Sequence, residues 1–296
     1  GQSLADGRGF GDTALAAGGG PTAFRPPLYP LFLGAVYAVT GDSITAARLA
    51  QAVLGVLAVG LLGVIAWQLW GRRTALVVLG VAAVYPPFVL VGNPLLTEAL
   101  SLPLQLGAFA AVLEHRRTSE HRWRWALIGG ALAGLAALTR NANAVMLLPL
   151  ALLLVRPGEW RRTRAWAAPA ALVAAALVVM VPWAVRNQRA FDRAIPFGTS
   201  DAFIFAGVYN AQAHHDPDRP AAWRPPVFVP ELAPLFDDRS LDEGELAREL
   251  RSRSTSSLGD HPGYLAKVVF WNSARLFDLA GLDETPESAP PPGYGT

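Results

Sequence analysis

Glu98 and Arg140 stand out because each interrupts a long apolar run. Glu98 lies in GNPLLTEALS and Arg140 in AALTRNAN. Ionisable groups in such segments are costly and normally face a bundle interior or a wet cavity. A carboxylate there can take a proton, orient a hydroxyl or help hold a divalent ion. A guanidinium offers a planar fork that matches phosphate oxygens. Two readings stand side by side. One is a structural ion pair with an arginine snorkelling to an interface. The other is a site for an anionic, phosphate-bearing substrate. Arg25, in PTAFRPPLYP, is either a third phosphate contact or an ordinary juxtamembrane base. Tyr29 is either an aromatic anchor at the interface or a wall of a lipid groove.

The elements that must position these residues are apolar helices. Of the 296 residues, 52% are hydrophobic and 16% are charged. Soluble domains carry about a quarter charged residues, so a cytosolic enzyme, a disordered chain and a nucleic-acid binder are disfavoured. With no cysteine, there is neither a disulfide framework nor a thiolate metal site. A spanning helix needs about 20 mostly apolar residues. Candidate windows are Ile44–Leu69, Thr74–Val91, Pro94–Leu113, Trp125–Leu138, Asn143–Val155 and Ala165–Val185. Pro27–Val39 is too short to span and reads as an interfacial or re-entrant helix, its entry fixed by Pro26, Pro27 and Pro30. The chain is an all-α polytopic membrane protein in three parts. Residues 1–43 are a first outer loop with a short juxtamembrane helix. Residues 44–185 are a transmembrane bundle of about six spans. Residues 186–296 are an outer-face polar segment ending in an amphipathic helix.

Arginine sets the orientation, because short cytoplasmic loops collect Lys and Arg. Arg72 and Arg73 occupy one loop. Arg116, Arg117, Arg122 and Arg124 occupy a second, and Arg156, Arg161, Arg162 and Arg164 a third. These alternate with Gly92–Asn93 and Arg140–Asn141, so the three basic loops face inward. Residues 26–185 then carry twelve bases against five acids, and residues 186–296 eleven bases against sixteen acids. The formal net charge of +2 is a cancellation between them. Glu98 and Arg140 both approach the outer face.

Four stretches, in order and on that face, carry a resemblance. They are PTAFRPPLYPLFLGAVYAVTG, GNPLLTEAL, GGALAGLAALTRNANAVMLLPL and VPWAVRNQRAFDRAIPFGTSDAFIFAGVYNAQA. They resemble the first-loop and re-entrant region, the second acidic motif, the Gly-rich helix ending in Leu-Thr-Arg, and the exit to the outer domain of GT-C membrane glycosyltransferases. That group includes the glycosyltransferase 39-like proteins, protein O-mannosyltransferases and aminoarabinose transferases. The resemblance implies a GT-C-like transmembrane helix bundle with a partly helical outer-face segment, in a multi-pass cell-membrane protein. It implies inverting transfer of a sugar from a polyprenyl-phosphate donor to a glycan, lipid or protein acceptor on the outer face. Glu98 is then the candidate catalytic carboxylate, and Arg25, Tyr29 and Arg140 the candidate substrate-binding residues. No cofactor is certain, and a divalent metal ion is the one candidate. The family's usual catalytic Asp follows its first span. GQSLADGRGFGDTAL resembles the stretch after that Asp, so the resemblance implies a bacterial fragment without its first span and base. Asp6 and Asp12, in a Gly-rich loop, suit turns better.

The remaining features carry less chemistry. His214 and His215 beside Asp216 and Asp218 could bind zinc, but no third ligand stands at metal spacing. Arg186–Asn187 reads as an interface anchor. Ser240–Ser252 reads as an exposed helix with Asp242 as its cap. His261–Leu279 reads as an amphipathic helix lying on a membrane. There is no Walker A, HExxH or framed GxGxxG motif. The alternative class is a transporter or channel fragment. It would use helices broken at Pro86–Pro87 and Pro103 near the midplane.

Overall fold

The computed structural model describes residues 1–7, 9–11, 15–86, 95–118, 122–277 and 279. Among them the chain is helical with no β-strand. It divides into two units, Gly1–Gly11 with Pro21–Gly198, and Asp12–Gly20 with Thr199–Thr296.

The first unit opens with a single turn, α1 (Gln2–Ala5), and then α2 (Leu28–Thr40). The short apolar helix expected at Pro27–Val39 is therefore present. Pro27 precedes its first turn, where a missing N–H costs nothing. Gly41 ends it in the left-handed region, φ 65°, with its N–H on the Tyr37 carbonyl. Ser43 caps the next helix, α3 (Ile44–Trp70), its hydroxyl accepting from the Ala46 N–H. Gly71 separates α3 from α4 (Arg72–Val84). The expected window Thr74–Val91 runs on into residues 87–94, outside the described residues. Pro87 lies there too.

Helix α5 (Glu98–Arg117) has an acid in its first turn and three bases in its last. That arrangement complements the helix dipole at both ends. Pro103 lies inside α5 and does not interrupt it. It leaves the Ala99 carbonyl without its helical N–H partner, yet the helix runs on through it to Arg117, so the break expected there is not seen. Helix α6 (Arg122–Ala137) returns antiparallel to α5. The window Asn143–Val155 is not one helix. It is a 3-10 segment, Asn141–Met146, followed by α7 (Leu147–Leu154). A 3-10 turn, Thr163–Trp166, leads into α8 (Ala167–Phe191). Arg186 and Asn187 therefore lie within α8. Among the described residues two helices are long and apolar enough to cross a membrane, Ile44–Trp70 and Thr163–Phe191.

The unit's core lies where α6 meets its neighbours. A Cβ on Gly130 would stand 2.0 Å from the Leu172 carbonyl oxygen, and one on Gly134 2.7 Å from that of Ala176. Only glycine lets the α6 and α8 backbones come this close. Ala126 and Ala133 of α6 pack in one cluster with Ala108 and Val112 of α5 and Ala168 and Leu172 of α8.

In the second unit, α9 (Ser200–Val208) and α10 (Ala211–His215) precede a single turn, α11 (Pro234–Asp237). Helices α12 (Glu243–Asp260) and α13 (Tyr264–Leu276) follow. Asp242 caps α12 through a reciprocal capping box with Glu245. The helix is not exposed all round as expected: Leu246 and Leu250 are fully buried. Glu243, also buried, accepts from the Thr199 hydroxyl at 2.8 Å. Helix α13 is amphipathic, with Tyr264 and Val268 packed on Ala221. Leu265, Val269 and Phe270 are left exposed.

Candidate functional site

The end of the first unit where α5 begins and α6 finishes brings two of the expected residues together. Arg140 Nη1 donates to Glu98 Oε1 in a direct ion pair. The same nitrogen reaches Thr97 Oγ1 at 3.4 Å, and that hydroxyl donates to Glu98 Oε2 at 3.0 Å. Thr97 thus holds the carboxylate from the N-cap position of α5. Neither charged group is buried: side-chain exposure is 43% for Arg140 and 45% for Glu98. An ion pair this open is screened by water and contributes roughly 0–1 kcal/mol. Among the described residues the contacts of the Arg140 guanidinium are made through Nη1.

Beneath the pair lies a polar network that sequence reasoning missed. Asn143 Nδ2 donates to Ser101 Oγ at 2.7 Å and to the Ala136 carbonyl at 2.8 Å. Gln105 Nε2 donates to Ser101 Oγ at 2.7 Å and to Asn143 Oδ1 at 3.1 Å. Ser101 and Gln105 sit three and seven residues after Glu98, on the same face of α5. Asn143 sits three residues after Arg140, and its N–H takes the Arg140 carbonyl at 3.0 Å. The network fixes the chain leaving α6 against α5, and so fixes where Arg140 emerges. The one sequence signal was Ser101 and Gln105, two neutral polar residues four apart in an apolar helix.

Arg25 is exposed, its guanidinium 5.4 Å from the Phe24 ring centre. It does not touch the Glu98–Arg140 pair directly. Its backbone is nevertheless anchored on both sides at the same end of α6. Ala23 and Leu28 pack in one cluster with Ala137 and Leu138, and the Leu28 N–H donates to the Leu138 carbonyl at 3.0 Å. Arg186 holds this loop from α8. Its Nη1 donates to the Thr22 carbonyl at 2.9 Å and its Nη2 to the Phe10 carbonyl at 3.1 Å. The guanidinium also stacks on Trp183, 5.0 Å from the ring centre. Arg186 is turned inward as a clamp, and the expected interface anchor is not seen.

Tyr29 is buried, with 6% of its surface exposed. Its hydroxyl donates to Gln51 Oε1 at 2.5 Å, and Gln51 is fully buried on α3. It is therefore no exposed aromatic anchor. Burial first, then the charges of Tyr37 and Glu98, push its phenol up to about 12. Tyr29 thus lies within electrostatic reach of Glu98 while packing α2 on α3.

No group of three His, Asp or Glu side chains among the described residues could hold a metal ion. Glu98 is paired with Arg140 and is not grouped with other acids. His261 does join His214 and His215, but through tilted and edge-to-face ring contacts. The His214 and His261 centres are 4.5 Å apart, and Tyr264 lies 4.6 Å from His214. The cluster is aromatic packing without the geometry of a zinc site. Asp6 follows the single turn α1, and Asp12 lies outside the described residues.

Among the described residues the first unit thus holds two helices of membrane-spanning length and, at one end, a half-open acid–arginine pair. Residues 24–185 match the family model for dolichyl-phosphate-mannose-protein mannosyltransferase, over half of the chain. The chain belongs to that family, a group of GT-C membrane glycosyltransferases. No curated protein and no solved structure matches the chain.

Proposed function

We propose that the protein transfers a sugar from a polyprenyl-phosphate donor to a glycan, lipid or protein acceptor, at the outer face of a membrane it crosses several times. The observation that carries this reading is the Glu98–Arg140 pair, half exposed at one end of the family-matched helices. The family takes its name from a dolichyl-phosphate-linked mannose donor, which is the same chemical class. The basic loops at the other ends of the helices support an outward-facing pair. The exposed apolar flanks of α3 and α4, with Val56 and Val84 each about three-quarters exposed, support contact with lipid.

The reaction is an inverting displacement. The acceptor oxygen forms a bond to the anomeric carbon, and the bond from that carbon to the phosphate oxygen breaks. The polyprenyl phosphate leaves with one more negative charge than it had in the donor. Arg140 meets that developing charge, and Arg25 stands on the same end as a second phosphate contact. Positioned charge of this kind commonly supplies the largest catalytic term. Glu98 orients the acceptor hydroxyl or the base that takes its proton. Breaking the Glu98–Arg140 pair costs little because both groups are open to water. Phosphate can therefore compete for the guanidinium without unfolding the site.

Transfer of radiolabelled sugar from lipid donor by the full-length gene product tests this. Glu98→Gln and Arg140→Ala should each lower transfer by at least about a hundredfold, the loss seen when one transition-state contact is removed. If both variants leave transfer intact, the site assignment is wrong.

A further inference from the structure

The far ends of the same helices carry a second charged feature that sugar transfer does not use. An open cavity of about 610 Å³ is lined by Arg116, Arg122, Arg156, Arg161, Arg162 and Arg164. Among the described residues Glu159 is the one acid lining it, 3.7 Å from Arg162 in an exposed pair. Three segments contribute: the end of α5, the start of α6, and the stretch from α7 to α8. Along α5, Arg116 lies about 27 Å from Glu98, so this is a separate site. The cavity is more than a basic loop in solution. Arg116 Nη1 is fixed on the Leu153 carbonyl at 2.7 Å, and the His115 ring is fixed on the Arg122 carbonyl at 2.7 Å.

We infer that this cavity binds the phosphate-bearing headgroup of an anionic phospholipid. Charge requires an anion, and the arginine forks suit phosphate oxygens. The surroundings select a lipid over a soluble anion. Leu154, Ala165 and Ala168 give one wall an apolar lining. Trp123 also lines the cavity. Trp160 and Trp166 stand in the same loop, edge to face at 5.8 Å, and all three indoles are close to half exposed. Partly exposed tryptophans beside arginines mark the headgroup depth of a bilayer. Basic pockets between helices at that depth are built to hold lipid phosphates.

The test titrates the purified chain, in neutral detergent, with cardiolipin, with phosphatidylcholine and with inorganic phosphate. Native mass spectrometry counts bound lipid, and the unfolding midpoint reports stabilisation. Cardiolipin should bind and raise the midpoint, and phosphatidylcholine should do neither. Millimolar phosphate should not reproduce the shift. Arg156→Gln with Arg164→Gln should weaken cardiolipin binding about thirtyfold, the loss expected for two interfacial arginines. Arg72→Gln with Arg73→Gln removes the same charge from another basic loop and should change binding by less than about twofold, since those residues lie outside the cavity. Equal binding of the two lipids overturns the inference. So does a phosphate effect equal to that of cardiolipin, which would make the ligand a soluble anion. An equal loss in the Arg72/Arg73 variant also overturns it, because binding would then follow overall charge.

Discussion

Arg140 is held by its backbone more than by its charge. The Glu98 contact is open to solvent, whereas Asn143 and Ser101 beneath it are buried and mutually bonded. Asn143→Ala deletes donors to Ser101 and to the Ala136 carbonyl. It should cost about 1–2 kcal/mol of stability, as for other hydrogen bonds between membrane helices. Transfer should fall as well, because Arg140 no longer emerges at a fixed point. Thermal unfolding together with the transfer assay checks both. An unchanged melting temperature would show that the network does not hold the helix exit. At this scale the charged residues were legible, since a carboxylate or guanidinium in an apolar run has few bland explanations. Ser101, Gln105 and Asn143 were not, because neutral polar side chains raise the polarity of a window only slightly. The burial of Tyr29 was hidden for another reason. Its partner, Gln51, lies 22 positions away on a different helix, beyond any local pattern.

Helix α6 is the element on which both ends of the unit depend. It starts at Arg122 beside the arginine cavity and ends at Ala137, three residues before Arg140. Gly130 and Gly134 let it approach α8 until their α-carbons lie against the carbonyls of Leu172 and Ala176. Gly134→Leu would drive a side chain into backbone that cannot step aside. Overpacking of this kind costs about 1–3 kcal/mol where neighbours can shift, and more where they cannot. The variant should unfold at a clearly lower temperature and lose transfer together with fold. Gly158→Ala makes a useful contrast. Its φ of 85° is strained for alanine, but nothing lies within 4 Å of the added carbon. It should therefore cost only about 1 kcal/mol. A Gly134→Leu protein as stable as the parent would mean that α6 and α8 are not in this contact. The small-residue stripe GGALAG could be read as a packing surface, because its spacing repeats every four residues. The 3-10 segment Asn141–Met146 could not. Its residues read as the start of an apolar helix, and only the bonds of Asn143 to α5 and α6 show why the chain turns tightly there.

Over the whole molecule, the charge is sorted by place. The net +2 of the sequence conceals basic loops at one end of the helices and an acidic excess after residue 185. If the proposed topology is right, the Glu98–Arg140 pair and the arginine cavity face opposite sides of a bilayer, and chemical accessibility can separate them. The chain has no cysteine, so each introduced thiol is the only one in the sequence given. Thr40→Cys and Gln212→Cys place thiols at exposed positions on the proposed outer side. Arg73→Cys and Glu159→Cys place them in the basic loops. A membrane-impermeant maleimide applied to intact cells should label the first two and spare the second two. Permeabilisation should then expose all four, which shows that the spared thiols are reactive but screened by the membrane. Labelling of Arg73→Cys or Glu159→Cys in intact cells would place the arginine cavity outside and invert the orientation. Protection of Gln212→Cys with labelling of Thr40→Cys would put an additional crossing between residues 40 and 212. Residue 212 would then lie on the inner side, and the outer-face assignment of the segment after residue 185 would fail.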